Sequence, residues 1–552
     1  MKRIFCYFIE AVQLFPRRFA LSLVFAVILT TMNAAVPVAM RFFIFQVTKA
    51  DRYLIILIGI LFFALYFLSK IVVNTAWHTS IDRFGGAYIT HLVSSLEKKM
   101  AETSYSEIEQ EQGGVIRNIL FTDVLNVFLV ISHHIPSVLS AAMVIVASTV
   151  FSLFVEPRIT AFICVAVLAG VFLSICGKRA ITRTSGETND RMKAYDSFCT
   201  QFVEMLPMIQ TNDILKYYQS ETRHRIGAFI QASVKADRPA VFWSDTVNGY
   251  HILFSFAVSA LLVIPSAGSS VENLVFFTIL ANLILSEAQK ISAMIQQIIK
   301  NFPSFSHIDR LRLLPCVDGE QELGPVETIV FSNVGFTYTA AKCPALRNVT
   351  CNFSKGDVIR LSGANGSGKS TFIKLLAGLY TPEEGQIKLN NVQIKEYSRE
   401  SLNKEILYIS QDEKCINGTV KNYLEMIAGA PVSDARFKEL MDLAAWNEED
   451  REITENGDSL SGGQRKKLYL MKLAVCANRA SVFILDELAA ELDTETTERY
   501  YDFLRNLVSK REKTIFIVDH GQIQPSLFTG ELHFSDGVAV FHVNQTASNG
   551  AG

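Results

Sequence analysis

Apolar positions crowd into the first three hundred residues, in six runs at about 19–46, 53–73, 125–154, 159–177, 250–266 and 273–296. Most hold at least ~18 mainly apolar residues, enough to cross a hydrocarbon core ~30 Å thick as a helix. Six such runs leave too little polar surface to cover them as buried helices of a water-soluble domain. Short links join them in pairs ("VTKADRY", "FVEPRIT", "PSAGSSVEN"), while long polar stretches with few helix breakers separate the second run from the third and the fourth from the fifth. Each membrane helix is therefore expected to continue into water. A helix of ~45 residues is ~68 Å long, about twice the hydrocarbon thickness. The N-terminal stretch "MKRIFCYFIEAVQLFPRRFALSLVF" puts basic residues before a run too long for a signal peptide, and reads as a retained first membrane helix.

From about residue 326 the pattern changes. Short β-rich runs ("TIVFSNV", "DVIRLSG", "ILYISQ", "SVFILDE", "KTIFIVDH") alternate with helical stretches, which predicts an α/β domain with a mainly parallel sheet. Between the halves, "NFPSFSHIDRLRLLPCVDGEQELGPVE" is polar and broken by Pro and Gly, and reads as a linker. The expected organisation is a membrane domain over 1–310, a linker over 311–325, an α/β domain over 326–545 and a disordered tail over 546–552.

Composition agrees with a chain partly in lipid: mean hydropathy is +0.25, with 49% hydrophobic and 19% charged residues. The net charge of −2 gives no basic surface for nucleic acid. Nine scattered cysteines form no CxxC pair or Cys/His cluster, which argues against a disulfide framework or a zinc site. Basic residues at the start (Lys2, Arg3, Arg17, Arg18) and in the long loops (Lys98, Lys99, Lys178, Arg179, Arg183, Lys216, Arg223, Arg225) assign these to the cytoplasmic side. The expected location is the cell (inner) membrane, multi-pass, with the N-terminus and the α/β domain cytoplasmic.

Gly363-Ala-Asn365-Gly366-Ser367-Gly368-Lys369-Ser370 fits G-x-x-x-x-G-K-[ST], after the strand "DVIRL" and before the helical run that starts at Thr371. Its glycines let backbone N–H groups converge on phosphate oxygens, and the helix N-terminus adds its dipole. Lys369 is expected on the β- and γ-phosphates of ATP and Ser370 on Mg2+. "VFILDE" is an apolar strand ending in Asp486 and Glu487. Asp486 would hold Mg2+, and Glu487 would polarise the attacking water as general base. A second glycine-rich turn, "LSGGQ" from Leu460 through Ser461, Gly462 and Gly463 to Gln464, opens a basic helix and has the same anion-binding character.

Phosphate loop, "LSGGQRKK" and "FILDE", in this order, resemble the nucleotide-binding domain of an ABC (ATP-binding cassette) protein. The resemblance implies further roles: Tyr338 stacking on adenine, Gln411 in "ISQD" contacting Mg2+ and the attacking water, Asp493 ending the loop after the catalytic strand, and His520 in "IFIVDH" holding the γ-phosphate. Six spans with long cytoplasmic extensions followed by one cassette are similar to an exporter-type half-transporter. That implies an all-α polytopic membrane domain with six long transmembrane helices, followed by an α/β P-loop NTPase domain of ABC type. It implies short transverse helices near 102–111 and 205–214 docking on the cassettes, and Glu455 near the membrane domain's loops. It also answers why one chain has two anion cradles. In the family, the signature turn of one cassette caps the ATP held by the P-loop of another, so Ser461 and Gly463 are expected on a partner's nucleotide. The partner is a second copy, or a related half-transporter. The implied activity is ATP hydrolysis coupled to export by alternating access.

Departures from the family pattern are Leu488-Ala489-Ala490-Glu491 after the catalytic acid, and Asp519 and Gly521 around the switch histidine. In the membrane half, His133, His134, Trp243, Asp245, Asn248, Tyr250 and His251 are candidates for a polar substrate cavity, and Glu287–Lys290 for a local ion pair. No protease-like segment precedes the first run, so leader cleavage by this chain is not expected. The expected cargo is a small or modified peptide; a lipid or drug, a non-transport regulator or channel role, and an exporter-shaped importer are the alternatives.

Overall fold

A computed structural model describes the chain except residues 1, 48–51, 111–112, 264–270, 316–318, 339–340, 342, 412, 449–450, 490, 519–524 and 545–552. The proposed tail, and the switch region with Asp519, His520 and Gly521, thus lie outside the described residues. The chain divides into two compact units, residues 1–96 with 117–312 and residues 97–116 with 313–552.

The first unit is helical throughout. Its first segment is not one membrane helix. An amphipathic helix, Lys2–Leu14, buries Ile4, Tyr7, Phe8 and Ala11 on one stripe. A second helix, Pro16–Val47, starts at a proline. Proline cannot donate to the preceding turn and has a φ suited to a first helical position, so the chain breaks there. The polar stretches after the second and fourth runs continue their helices, giving Arg52–Glu102 and Pro157–Glu204. The fifth run ends a third long helix, Leu215–Val263, and the sixth lies in Val271–Lys300. Among the described residues four helices are long and apolar enough to cross a membrane: Pro16–Val47, Tyr53–Glu102, Val115–Val155 and Glu272–Arg312. The outer face of Tyr53–Glu102 leaves Leu61, Leu65 and Val72 exposed, which water would not tolerate at this density.

The helix over 115–155 carries two π-turns, Ile119–Asp123 and Val130–His134. At the second, Ser132 presses on Gly85, where a Cβ would lie 1.6 Å from the Ser132 hydroxyl oxygen. The "NFPSF" stretch is only partly a linker: Phe302–Arg312 is a helix with Phe305, Ile308 and Leu311 buried. Their i, i+3, i+6 spacing outweighs the polar residues between them. This helix binds the N-terminal one. The Tyr7 hydroxyl donates to Asp309 at 2.7 Å, and Arg312 forks onto Glu10 at 3.1 and 3.2 Å. The bundle's core centres on Phe276, Phe277, Leu280 and Ile284 against Ile163, Phe254 and Val258.

The second unit has two main sheets. A four-stranded antiparallel sheet includes Thr328–Phe336, so the run "TIVFSNV" does not join the parallel sheet. A six-stranded sheet runs in the order Val538–Val543, Gly530–Ser535, Val358–Gly363, Thr514–Val518, Val482–Asp486, Ile406–Ile409. Its first pair is antiparallel and the rest parallel. Parallel strands buried on both faces read as continuous apolar runs, as "VFIL" and "TIFIV" do. Their C-terminal ends share one edge, where open α/β sheets bind ligands.

Residues 97–116 belong to this unit. The short helix Tyr105–Gln110 lies on the loop at 379–380. The Tyr105 N–H and the Ser104 hydroxyl both donate to the Leu379 carbonyl, at 3.2 Å each, and the Tyr380 hydroxyl donates to Glu109 at 2.5 Å. The other short helix, Leu206–Thr211, lies in the first unit and buries Ile209 against Phe198 and Tyr218.

Candidate nucleotide site

The loop 363–368 leaves the end of its strand and enters the helix Lys369–Leu376. Gly363, Gly366 and Gly368 have φ of +133°, +80° and +114°, a region that side chains avoid. At Gly363 a Cβ would also meet the Phe534 carbonyl oxygen at 2.3 Å. Lys369 curls back over the loop, donating to the carbonyls of Gly363 (2.6 Å) and Ala364 (3.0 Å). Ser367 is buried and its hydroxyl has no partner among the described residues. Asn365 and Ser370 are exposed at the mouth. A nest of N–H groups, a basic side chain with only neutral partners and an orphaned hydroxyl together fit a polyphosphate.

Tyr338 stands beside this loop. Its hydroxyl pairs with the Thr371 hydroxyl at 3.1 Å, and its ring meets Tyr380 and Phe336 edge-on. Tyr380 is also an aromatic neighbour of Tyr105, 6.1 Å between centroids. Burial, then the bond to Glu109, pushes the Tyr380 phenol well above its usual range, so it stays a donor.

Asp486 ends its strand, and Glu487 follows in left-handed backbone, φ +53°. Such conformations cost about 1–3 kcal/mol and gather at active sites. Gln411 Nε2 donates to the Glu487 carboxylate at 2.8 Å, so the predicted lid and base touch. Asp486, Ser370 and Gln411 offer hard oxygen donors of the kind Mg2+ shares with phosphates and water.

Ser461 caps the helix Gly462–Cys476. Its hydroxyl accepts from the Gln464 N–H at 3.2 Å, and its own N–H donates to Gln464 Oε1 at 3.0 Å. Gly462 and Gly463 leave room for Glu491. A Cβ on Gly462 would lie 2.0 Å from a Glu491 carboxylate oxygen. A polar cavity of about 120 Å³ is bordered by Gln411, Gly462, Arg465, Lys466, Glu487 and Glu491; no P-loop residue borders it. Asp493 is engaged within its own chain. It caps the helix Thr494–Ser509 through the Thr496 N–H at 2.8 Å and pairs with Lys467 at 2.7 Å. That Lys467 bond, then the Thr496 amide, holds its carboxyl well below the usual range. Glu455 begins a 3-10 turn; its side chain is outside the described residues.

Three side chains of this helix tie down the lid, and sequence reasoning missed all three. Buried Lys466 donates to the carbonyls of Gln411 (3.0 Å) and Glu487 (3.1 Å). The Tyr469 hydroxyl donates to the Glu413 carbonyl at 2.5 Å, and buried Lys472 pairs with the Glu413 carboxylate. The positions follow at i, i+3 and i+6, one helix face. Two lysines and a tyrosine at that spacing inside "RKKLYLMK" were the available signal.

A family model described as "ABC transporter" matches residues 346–490, the span that holds the loop, the capped helix and the strand ending in acids. Residues 346–490 thus carry an ABC transporter domain. Across its whole length the chain is similar in fold to a bacterial Atm1-family ABC exporter solved with ATP bound. The TM-score is 0.83 at 17% identity, over 96% of this chain and 95% of that one. An ATP-dependent lipid A-core flippase of Aliivibrio fischeri is 29% identical over 49% of this chain and 48% of its own. A Photobacterium profundum flippase of the same name is 33% identical over 35% and 34%. The chain thus spans about half or less of the length of these curated relatives. A putative ABC transporter ATP-binding protein, exp8, of Streptococcus pneumoniae matches over 86% of this chain and 83% of its own, at 23% identity.

In the membrane half, polar candidates form bonds between helices. The Tyr250 hydroxyl donates to the Ala166 carbonyl at 2.7 Å, and Gln289 donates to Asn248 at 3.0 Å. Asp245 is exposed on helix 215–263, and the His251 side chain is outside the described residues. His133 pairs with Asp82 at 3.2 Å, and Lys290 with Glu287 at 2.6 Å.

Proposed function

We propose that two copies of this protein hydrolyse ATP between their cassettes and use the closure to export an amphiphile from the cytoplasmic side of a bacterial inner membrane. The observation that carries this is the make-up of one chain. It has a P-loop fit for a polyphosphate and a capped signature helix, yet the signature cavity is bordered by none of the P-loop's residues. Each ATP then needs a P-loop from one copy and Ser461 and Gly463 from the other. Lys369 exchanges its two carbonyl partners for phosphate oxygens. Ser370, Gln411 and Asp486 hold Mg2+, Tyr338 stacks on the base, and Glu487, oriented by Gln411, takes the proton of the attacking water. His520 on the γ-phosphate and Asp493 at the dimer seam complete the assignment. The motion reaches the bilayer through the long helices.

For the cargo, the flippase relatives favour a lipid over the small peptide suggested by the sequence, and no described cavity favours a peptide. The test is transport and ATPase in proteoliposomes with a panel of lipids, peptides and dyes. Lipid-dependent stimulation that Glu487→Gln abolishes supports the reading. A Glu487→Gln protein that stays monomeric with ATP overturns it, as does a Lys369 lesion in one copy that a Ser461 lesion in the other cannot complement at one site.

A further inference from the structure

We propose that the groove between the start of helix Pro16–Val47 and the middle of helix Arg52–Glu102 binds an anionic phospholipid from the surrounding bilayer. The groove encloses about 1070 Å³. Leu21, Phe25, Ile71 and Val72 line one part; Arg18, Arg83, Thr79 and Ser80 line another. Arg18 directly precedes the first apolar run, and Ile71 and Val72 close the second. The site therefore passes from apolar to cationic where a leaflet passes from acyl chain to headgroup.

Its polar part is built of donors. No carboxylate borders the groove, and neither arginine forms an ion pair among the described residues. The single hydrogen bond between them runs from the Arg18 guanidinium to the Arg83 carbonyl at 3.2 Å. Ser80 is only 7% exposed, borders the groove, and its hydroxyl has no partner among the described residues. A buried hydroxyl without a partner is costly, and an acceptor-only phosphate between two guanidiniums would supply one. Leu21, Ile71 and Val72 are 52%, 48% and 68% exposed, so the apolar wall opens directly onto the lipid-facing surface. Basic pockets between membrane helices recognise lipid headgroups in this way. The inference stands apart from the ATP cycle and from the identity of the cargo.

The test is native mass spectrometry of the purified full chain titrated with phosphatidylglycerol, phosphatidylcholine or glycerol 3-phosphate. Phosphatidylglycerol should be retained about tenfold more tightly than phosphatidylcholine, and glycerol 3-phosphate should not be retained. Arg18→Gln with Arg83→Gln should lose that preference, the paired Lys substitutions should keep most of it, and Ser80→Ala should weaken it a few-fold. Thr79→Trp, which fills the groove, should expel the lipid, and serves if the double Gln variant does not fold. Three results overturn the proposal: an unchanged preference in the double Gln or Thr79→Trp variant, glycerol 3-phosphate bound as tightly as the lipid, or oxidative cross-linking of Thr79→Cys between two copies, which would assign the groove to a second chain.

Discussion

The cassette and the membrane half solve the same problem, placing polar groups where water is scarce, in opposite ways. In the cassette the backbone does the placing. Parallel strands bring the P-loop, Asp486–Glu487 and the lid to one edge, and most buried polar side chains there are bonded, Lys466 and Lys472 included. In the membrane half long helices do the placing. Their buried hydroxyls at Thr30, Ser80, Ser132 and Ser148 lack partners among the described residues. A site fixed by loops and strand ends carries its geometry in a short motif. A site between helices depends on which faces meet, and no local spacing encodes that.

The largest effect should come from removing the base. Glu487→Gln should lower ATPase at least about 100-fold while equilibrium ATP binding persists, read by phosphate release and nucleotide binding side by side. The corresponding blow to the membrane half is to its core. Phe277→Ala should cost about 3–5 kcal/mol in stability, measured by thermal unfolding in detergent, with cassette ATP affinity unchanged. If both properties fall together, the two regions unfold as one cooperative unit. Next is Lys466→Met, which removes the ammonium donor from the Gln411 and Glu487 carbonyls. It should reduce kcat about tenfold and leave ATP binding intact, a split that a merely unfolded cassette would not show. Tyr380→Phe removes the bond to Glu109 and should change stability by about 1 kcal/mol. Its basal ATPase should be near wild type, with stimulation by cargo reduced. The smallest effect concerns Asp493. Its folded carboxyl sits below its unfolded value, so the associated stability is complete above about pH 4 and is lost only as pH falls further. Unfolding midpoints of wild type and Lys467→Met, measured between pH 5 and 8, should each stay flat, and the two should differ by under ~1 kcal/mol.

The P-loop and the acid pair were legible because each is a local motif at the end of a strand; the contact of Gln411 with Glu487, 76 residues apart, was not. The long helices were legible because their polar stretches lacked breakers. Pro16 and the Phe305–Ile308–Leu311 stripe were misjudged where composition was read before periodicity. The spacing of Lys466, Tyr469 and Lys472 marked one helix face but not its targets, which are backbone atoms and a glutamate more than fifty residues away for Tyr469 and Lys472. Glu491 was noticed only as a departure; its approach to Gly462 depends on two loops meeting.

The three-point fastening of the lid has a mechanical consequence. A lid held at successive turns of a helix cannot peel away gradually; it travels with the helix or not at all. A push on that helix's glycine-rich tip therefore arrives, within the same rigid piece, at the carbonyl of the catalytic glutamate. With the tip on the neighbour's nucleotide and the glutamate on its own, as proposed above, the two burners of such an engine would share one throttle.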